Sequence, residues 1–177
     1  MITALLFIGL LIYWKAKLHI LTATPAPGNK INQNLVWLEI AVIITALAQL
    51  AGWMRPDSPP ILAQIMGCAI FGFGIFVATI GRIWLDGDYA PACKMTPPKH
   101  IIMDGPYQII RHPVYSGTIL MGLGFELALY SPLIVPVIFL IPVLAHQANK
   151  EESFMRHLPA WQYYAEKTRY KFMPFLY

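Results

Sequence analysis

The chain has 177 residues, of which 57% are hydrophobic and 12% charged, and its formal net charge is +4. That balance excludes an ordinary soluble domain of this size and reads as a membrane protein. Two cysteines with no CxxC spacing exclude a disulfide framework and cysteine redox chemistry, and five histidines with no HxxxH or HExxH pattern leave a metal site on one helix without support.

Five apolar runs follow in order, at 1–14, 35–54, 60–85, 114–130 and 132–148. Several are close to the ~20 residues that a helix needs to cross a bilayer. The fold class expected is therefore all-α, a polytopic membrane protein with about five transmembrane helices. The first run has no charged side chain before it and has Lys15 and Lys17 behind it, the order of an uncleaved anchor with its N-terminus outside. In the third run, Gly67, Gly72, Gly74 and Gly81 stand among large residues, the pattern that lets helices approach closely. The fourth and fifth runs meet at "LYSPL", where Ser131 and Pro132 suit a tight turn and hence an antiparallel hairpin. Pro136 and Pro142 are expected to kink the fifth helix and to free carbonyls that neighbouring helices must cover.

The bases are distributed by side. Lys15, Lys17 and Lys30 follow the first run, and Arg82, Lys94, Lys99 and Arg111 lie between the third and fourth. Lys150, Arg156, Lys167, Arg169 and Lys171 follow the fifth, and with simple alternation only Arg55 lies opposite. This places the 86–113 loop and the C-terminal tail together in the cytosol and explains the positive charge without a nucleic-acid partner. One domain covers 1–177, with three spans in 1–85 and the loop, hairpin and tail in 86–177.

Chemistry concentrates in "DGPYQIIRHPVYSG", residues 104–117. Gly105 and Pro106 suit a turn, and Pro113 suits the first position of a helix, where its missing N–H costs nothing. The motif is then a loop entering the N-terminus of the fourth helix, whose free N–H groups and partial positive charge favour a carboxylate or phosphate. Taken singly, Arg111 and His112 also read as interfacial anchors and the tyrosines as an aromatic belt.

Together, "HIIMDGPYQIIRHPVYSG" and "NKEESFMRHLPAWQYYAEKTRYKFMPFL" resemble the isoprenylcysteine carboxyl methyltransferase and phospholipid methyltransferase superfamily of integral membrane enzymes, its short prokaryotic members included. The resemblance covers 80–176 and rests on a His five residues before GPY, RHPxYxG, a hairpin, a Glu pair, and a tyrosine five residues before an arginine. It implies a cytosolic S-adenosylmethionine site formed by the 86–113 loop and the tail, with His100, Tyr107, Arg111, His112, Pro113, Tyr115, Glu151 and Glu152 as cofactor-binding residues. It also implies Arg169 facing the reacting end of the substrate; on chemical grounds Arg169 would orient a carboxylate acceptor and Glu152 would take a proton from an amine. Gln108 departs from the family's basic residue after GPY, and "HLPAWQYY" departs from FGxxYxxY.

The residue types suit the cofactor, since basic groups and helix N–H donors match its carboxylate, a glutamate its ammonium, and tyrosine faces its adenine and sulfonium. In-line displacement then needs mainly alignment. The expected acceptor is lipophilic, a prenylcysteine-type carboxylate or thiol or an amine-headed lipid, reached from the bilayer of a prokaryotic inner membrane. Two alternatives stand beside this reading: a nicotinamide-dependent sterol-reductase-like protein, whose group is much longer, and a noncatalytic membrane binding protein. For the glutamate pair the plain alternative is a solvated extension of the fifth helix with Lys150 and Arg156 as partners, and for Arg169 a lipid headgroup contact. Glu39 and Glu126 read as structural groups, protonated or paired within the bundle, and His146 as bordering the pocket.

Overall fold

A computed structural model describes residues 6–11, 33–54, 56–85 and 101–174. Within them residues 6–11 are helical, followed by α1 (Gln33–Leu50), α2 (Ile61–Leu85), a 3-10 turn (Gly105–Gln108), α3 (Pro113–Leu129), α4 (Ile134–Met155) and α5 (Pro159–Lys167). Every apolar run of the sequence thus carries helix. Of these helices α2 is long and apolar enough to cross a bilayer by itself; the 40–50 part of α1 and the whole of α3 are apolar but shorter. Along α2 the exposed positions include Ile61, Leu62, Ile65, Phe73, Phe76 and Ile83, an outward apolar face suited to lipid.

α2 and α3 lie antiparallel in direct backbone contact. A Cβ on Gly67 would stand 2.2 Å from the Ala128 nitrogen, one on Gly74 2.6 Å from that of Met121, one on Gly117 2.4 Å from that of Ala78, and one on Gly124 2.3 Å from that of Phe71. No side chain fits in those gaps, so the glycines set the approach distance. Gly81 packs less tightly, against Pro113 and Val114, while Gly72 is exposed with nothing within 4 Å and plays no part in the contact. Beside the glycines, Leu6, Phe71, Ala78, Met121, Phe125, Ala128 and Leu129 form the buried core. The Phe71 and Phe125 rings meet at 6.0 Å, tilted by 53°.

The hairpin turn forms where the sequence indicates. Tyr130 adopts the left-handed conformation (φ 51°, ψ 43°), its N–H bonding to Leu127 O, while the Ser131 N–H bonds to Glu126 O at 3.0 Å. This is a Schellman ending with tyrosine where glycine is usual. The Ser131 hydroxyl then accepts the Leu133 N–H at 3.2 Å. Across the turn, the Gln49 amide of α1 donates to Glu126 Oε2 at 2.7 Å and to Ser131 Oγ at 2.9 Å, all three residues being buried. Glu126 is therefore paired inside the bundle, while the Glu39 side chain lies outside the described residues. Of the two prolines, Pro142 alone is interior to α4. Pro136 falls in the first turn, where no i−4 bond is lost, so only Pro142 removes a helical hydrogen bond, and α4 runs on through it.

Candidate functional site

The site begins with a chain reversal. Gly105 has φ +58°, and a Cβ there would stand 2.4 Å from the Trp84 indole, so glycine is required both by conformation and by space. Pro106 starts the 3-10 turn, and the N–H groups of Ile109 and Ile110 return to its carbonyl at 3.2 and 3.1 Å. The chain then extends to His112, and Pro113 opens α3.

Here the tail docks. Ile110 and Tyr170 form a parallel bridge; the Arg111 N–H donates to Tyr170 O and the His112 N–H to Lys171 O, each at 2.9 Å. The Ser116 hydroxyl donates to Phe172 O at 2.6 Å. Arg111 Nη1 donates to Thr168 O at 3.0 Å. Below the bridge, Tyr107, Trp161 and Tyr164 form a second buried cluster. Tyr164 donates to Tyr107 O at 2.9 Å and Tyr107 to Gly81 O at 3.1 Å, tying tail to loop and loop to α2. Burial pushes the Tyr164 phenol far above its usual range, so it stays a donor.

Around Glu152, buried in the last turns of α4, three basic residues converge. Arg111 Nε donates to Oε1 at 3.0 Å, His112 Nε2 lies 3.1 Å from the same oxygen, and Lys171 Nζ lies 3.3 Å from Oε2. Burial alone would raise this carboxyl. The His112 hydrogen bond and the charges of His112, Arg111 and Lys171 outweigh it and hold the group down at about 2. Glu151, one residue earlier and about 100° round the helix, has a different setting. Its side chain is 27% exposed, it accepts the Tyr115 hydroxyl at 2.5 Å, and its other oxygen lies 3.8 Å from His112 Nδ1. The His112 ring packs against Tyr115 at 5.6 Å and Phe172 at 5.8 Å.

Of the residues singled out in the sequence, Arg111, His112, Tyr115, Glu151 and Glu152 come together in this network, and Pro113 is buried beside it against Gly81. Tyr107 sits in the aromatic cluster below. Arg169 is exposed and takes no part in the network's bonds, His146 is exposed on α4, and His100 lies outside the described residues. The glutamate pair does ride on an extension of the fifth helix, but Glu152 is buried rather than solvated. Sequence reasoning missed Lys171, Thr168, Asn149 and Phe172. Lys171 reads there as one more basic residue of a cytosolic tail, since only the bridge to Ile110 sets its register. Among the described residues no group of three or more His, Cys, Asp or Glu side chains could hold a metal ion.

The phospholipid methyltransferase family model matches residues 62–159, more than half of the chain. The chain is also similar to a Delta(14)-sterol reductase of Mus musculus, 25% identical over 84 residues, which are 45% of this chain and 20% of that protein. A further relative is the nickel-cobalt-cadmium resistance protein NccN of Alcaligenes xylosoxydans xylosoxydans, 24% identical over 136 residues, which are 75% of this chain and 61% of that protein. The chain therefore spans a fifth of the first relative's length and about three fifths of the second's.

Proposed function

The chain belongs to the phospholipid methyltransferase family, and from that premise we propose that it transfers a methyl group from S-adenosylmethionine to a lipid-type acceptor at a membrane surface. The observation that carries the proposal is the convergence of Arg111, His112, Tyr115, Glu151 and Glu152 at the N-terminus of α3. The donor set fits the cofactor. Glu151 is the partly exposed carboxylate and suits an ammonium group; the first-turn N–H groups of α3 and the basic residues suit a carboxylate. The Tyr115 and Phe172 rings against His112 suit adenine and a sulfonium cation.

When bound, S-adenosylmethionine supplies an electrophilic methyl group. The protein's part is to bind and orient. With its carboxylate already saturated by Arg111, His112 and Lys171, Glu152 acts in this reading as the anchor that fixes those groups, and Glu151 acts as the ligand-facing carboxylate. A carboxyl held at about 2 is a weak base, so an acceptor that arrives as an anion asks less of this site than an ammonium headgroup does. Arg169, exposed on the tail, is in position to meet an acceptor's anionic group.

The same reading has the chain crossing a prokaryotic inner membrane about five times, with the N-terminus outside and the site in the cytosol. It is supported by helix in each apolar run and by the one-sided distribution of Lys and Arg. Partial similarity to the sterol reductase favours a second reading, a nicotinamide site in the same place.

Calorimetric titration of the detergent-purified protein with S-adenosylmethionine, S-adenosylhomocysteine and a nicotinamide nucleotide separates the two. Saturable binding of the first two, weakened in Glu151→Gln, is the expected result. Binding of the nucleotide alone would replace the methyltransferase reading with the reductase-like one. Release of S-adenosylhomocysteine with a lipid acceptor separates an enzyme from a noncatalytic binder.

A further inference from the structure

Lys171 lies beyond the stretch matched by the family model and reaches three elements at once. Its carbonyl accepts the His112 N–H at 2.9 Å, at the entrance of α3. Its ammonium lies 3.3 Å from Glu152 Oε2 and also donates to Asn149 Oδ1. Asn149 and Glu152 are one turn apart on α4, on the same face. A single residue of the tail thereby spans the last turns of α4 and holds the backbone of the Arg111–His112 pair.

The division of labour on Glu152 gives this contact its meaning. Oε1 is shared by Arg111 and His112, whereas Oε2 faces Lys171. The lysine side chain is 11% exposed and that of Glu152 10%, so the pair is largely withdrawn from screening water. With Lys171 neutralised, Oε2 loses this counter-charge. The carboxylate is then held at Oε1 alone, and any turn about its last torsion shifts the atom that holds Arg111 and His112. Glu151 follows, because His112 lies 3.8 Å from it and both are set by the orientation of one helical turn.

We propose that Lys171 is a positioning residue for cofactor recognition, acting through Glu152 to hold the Arg111–His112 pair and Glu151 in register at the entrance of α3. The proposal rests on the methyltransferase reading and adds to it a residue from the tail. Lys171 need not touch substrate or cofactor for this role. It differs from a merely structural lysine because its effect must vanish once Glu152 is no longer a carboxylate.

The test compares wild type, Lys171→Met, Lys171→Arg, Glu152→Gln and the Lys171→Met/Glu152→Gln double variant, each checked for folding by thermal unfolding in detergent and titrated with S-adenosylmethionine. Lys171→Met is expected to weaken binding about tenfold, the scale of one charge-assisted contact, and Lys171→Arg to recover most of it. The double variant should bind no worse than Glu152→Gln alone, because the lysine has nothing left to act through. In Lys171→Met the acid limb in the pH dependence of binding should also move to higher pH. Glu152 then keeps Arg111 and His112 from the α3 side and Glu151 on its own helix, but lacks the tail's charge.

Wild-type affinity in Lys171→Met, no recovery in Lys171→Arg, or fully additive losses in the double variant would each overturn the proposal. Should Lys171→Met fail to fold, Lys171→Gln keeps a donor toward Asn149 and is read the same way. Absence of binding in folded wild-type protein is a different result, since it removes the methyltransferase reading itself.

Discussion

Along α2 and α3 the backbones meet at Gly67, Gly74, Gly117 and Gly124, where hydrogen atoms stand in for side chains; at the N-terminal entrance of α3, residues 111–112, 151–152 and 168–172 meet through charged and polar groups. The first contact is specified by missing volume and is indifferent to pH and salt. The second is specified by donors and acceptors, and its geometry depends on Glu152 remaining ionised. One interface carries the fold and the other, in the methyltransferase reading, the chemistry, so lesions in the two should separate.

The largest effect should come from filling the first. Gly124→Val puts side-chain atoms where the Phe71 backbone now stands, 2.3 Å from a Cβ, and should cost more than roughly 3 kcal/mol and leave little folded protein in a detergent thermal scan. A stable Gly124→Val variant would break the comparison. Next is Glu152→Ala, which leaves Arg111 and Lys171 facing each other without their carboxylate and should cost about 2 to 3 kcal/mol. Its cofactor titration should lose more than its melting temperature does.

Acid sharpens the same contrast. The folded pKa of Glu152, about 2, lies below its ordinary 4.5, so its contribution is fully present above about pH 4.5 and is lost as pH falls toward 2. Glu152→Gln should flatten the acid limb of a stability–pH curve over that window, whereas Gly72→Ala should leave the limb unchanged. Tyr115→Phe deletes one hydrogen bond to Glu151 and should cost about 1 kcal/mol of stability, while loosening S-adenosylmethionine severalfold in a binding titration. The smallest change is Gly72→Ala. With open space around it, the substitution should be neutral or stabilise by less than about 1 kcal/mol through helix propensity, as thermal unfolding will show.

Legibility in the sequence follows the same divide. Apolar runs and "LYSPL" mark the helices and the hairpin because burial and turn chemistry are local properties. RHPxYxG and the glutamate pair mark five of the residues in the network, because charged and aromatic residue types stand out against apolar runs. What stays hidden is register. Gly72 resembles Gly67 and Gly74 in the sequence, yet faces away, since only the partner helix decides which glycines are contacts. Tyr107 is as conspicuous as Tyr115, but its hydroxyl bonds to the Gly81 carbonyl rather than a glutamate. Lys171 is indistinguishable from Lys167 until the bridge between Ile110 and Tyr170 is known, and no local rule sets a pairing across so long a separation.

That bridge also fixes an order of events. A chain emerges from the ribosome N-terminus first, and the glycine contacts between α2 and α3 need nothing beyond residue 129. Glu152 and Arg111 are 41 positions apart, Arg111 and the Thr168 carbonyl 57, and the ammonium of Lys171 arrives later still. The helices can therefore pair while the nascent chain still lacks Glu152 and the tail that closes the network. Assembly of the network waits for residues 168–171, so a ribosome that stops just short of residue 168 would release a paired bundle whose Glu152 meets Arg111 and His112 but not Lys171.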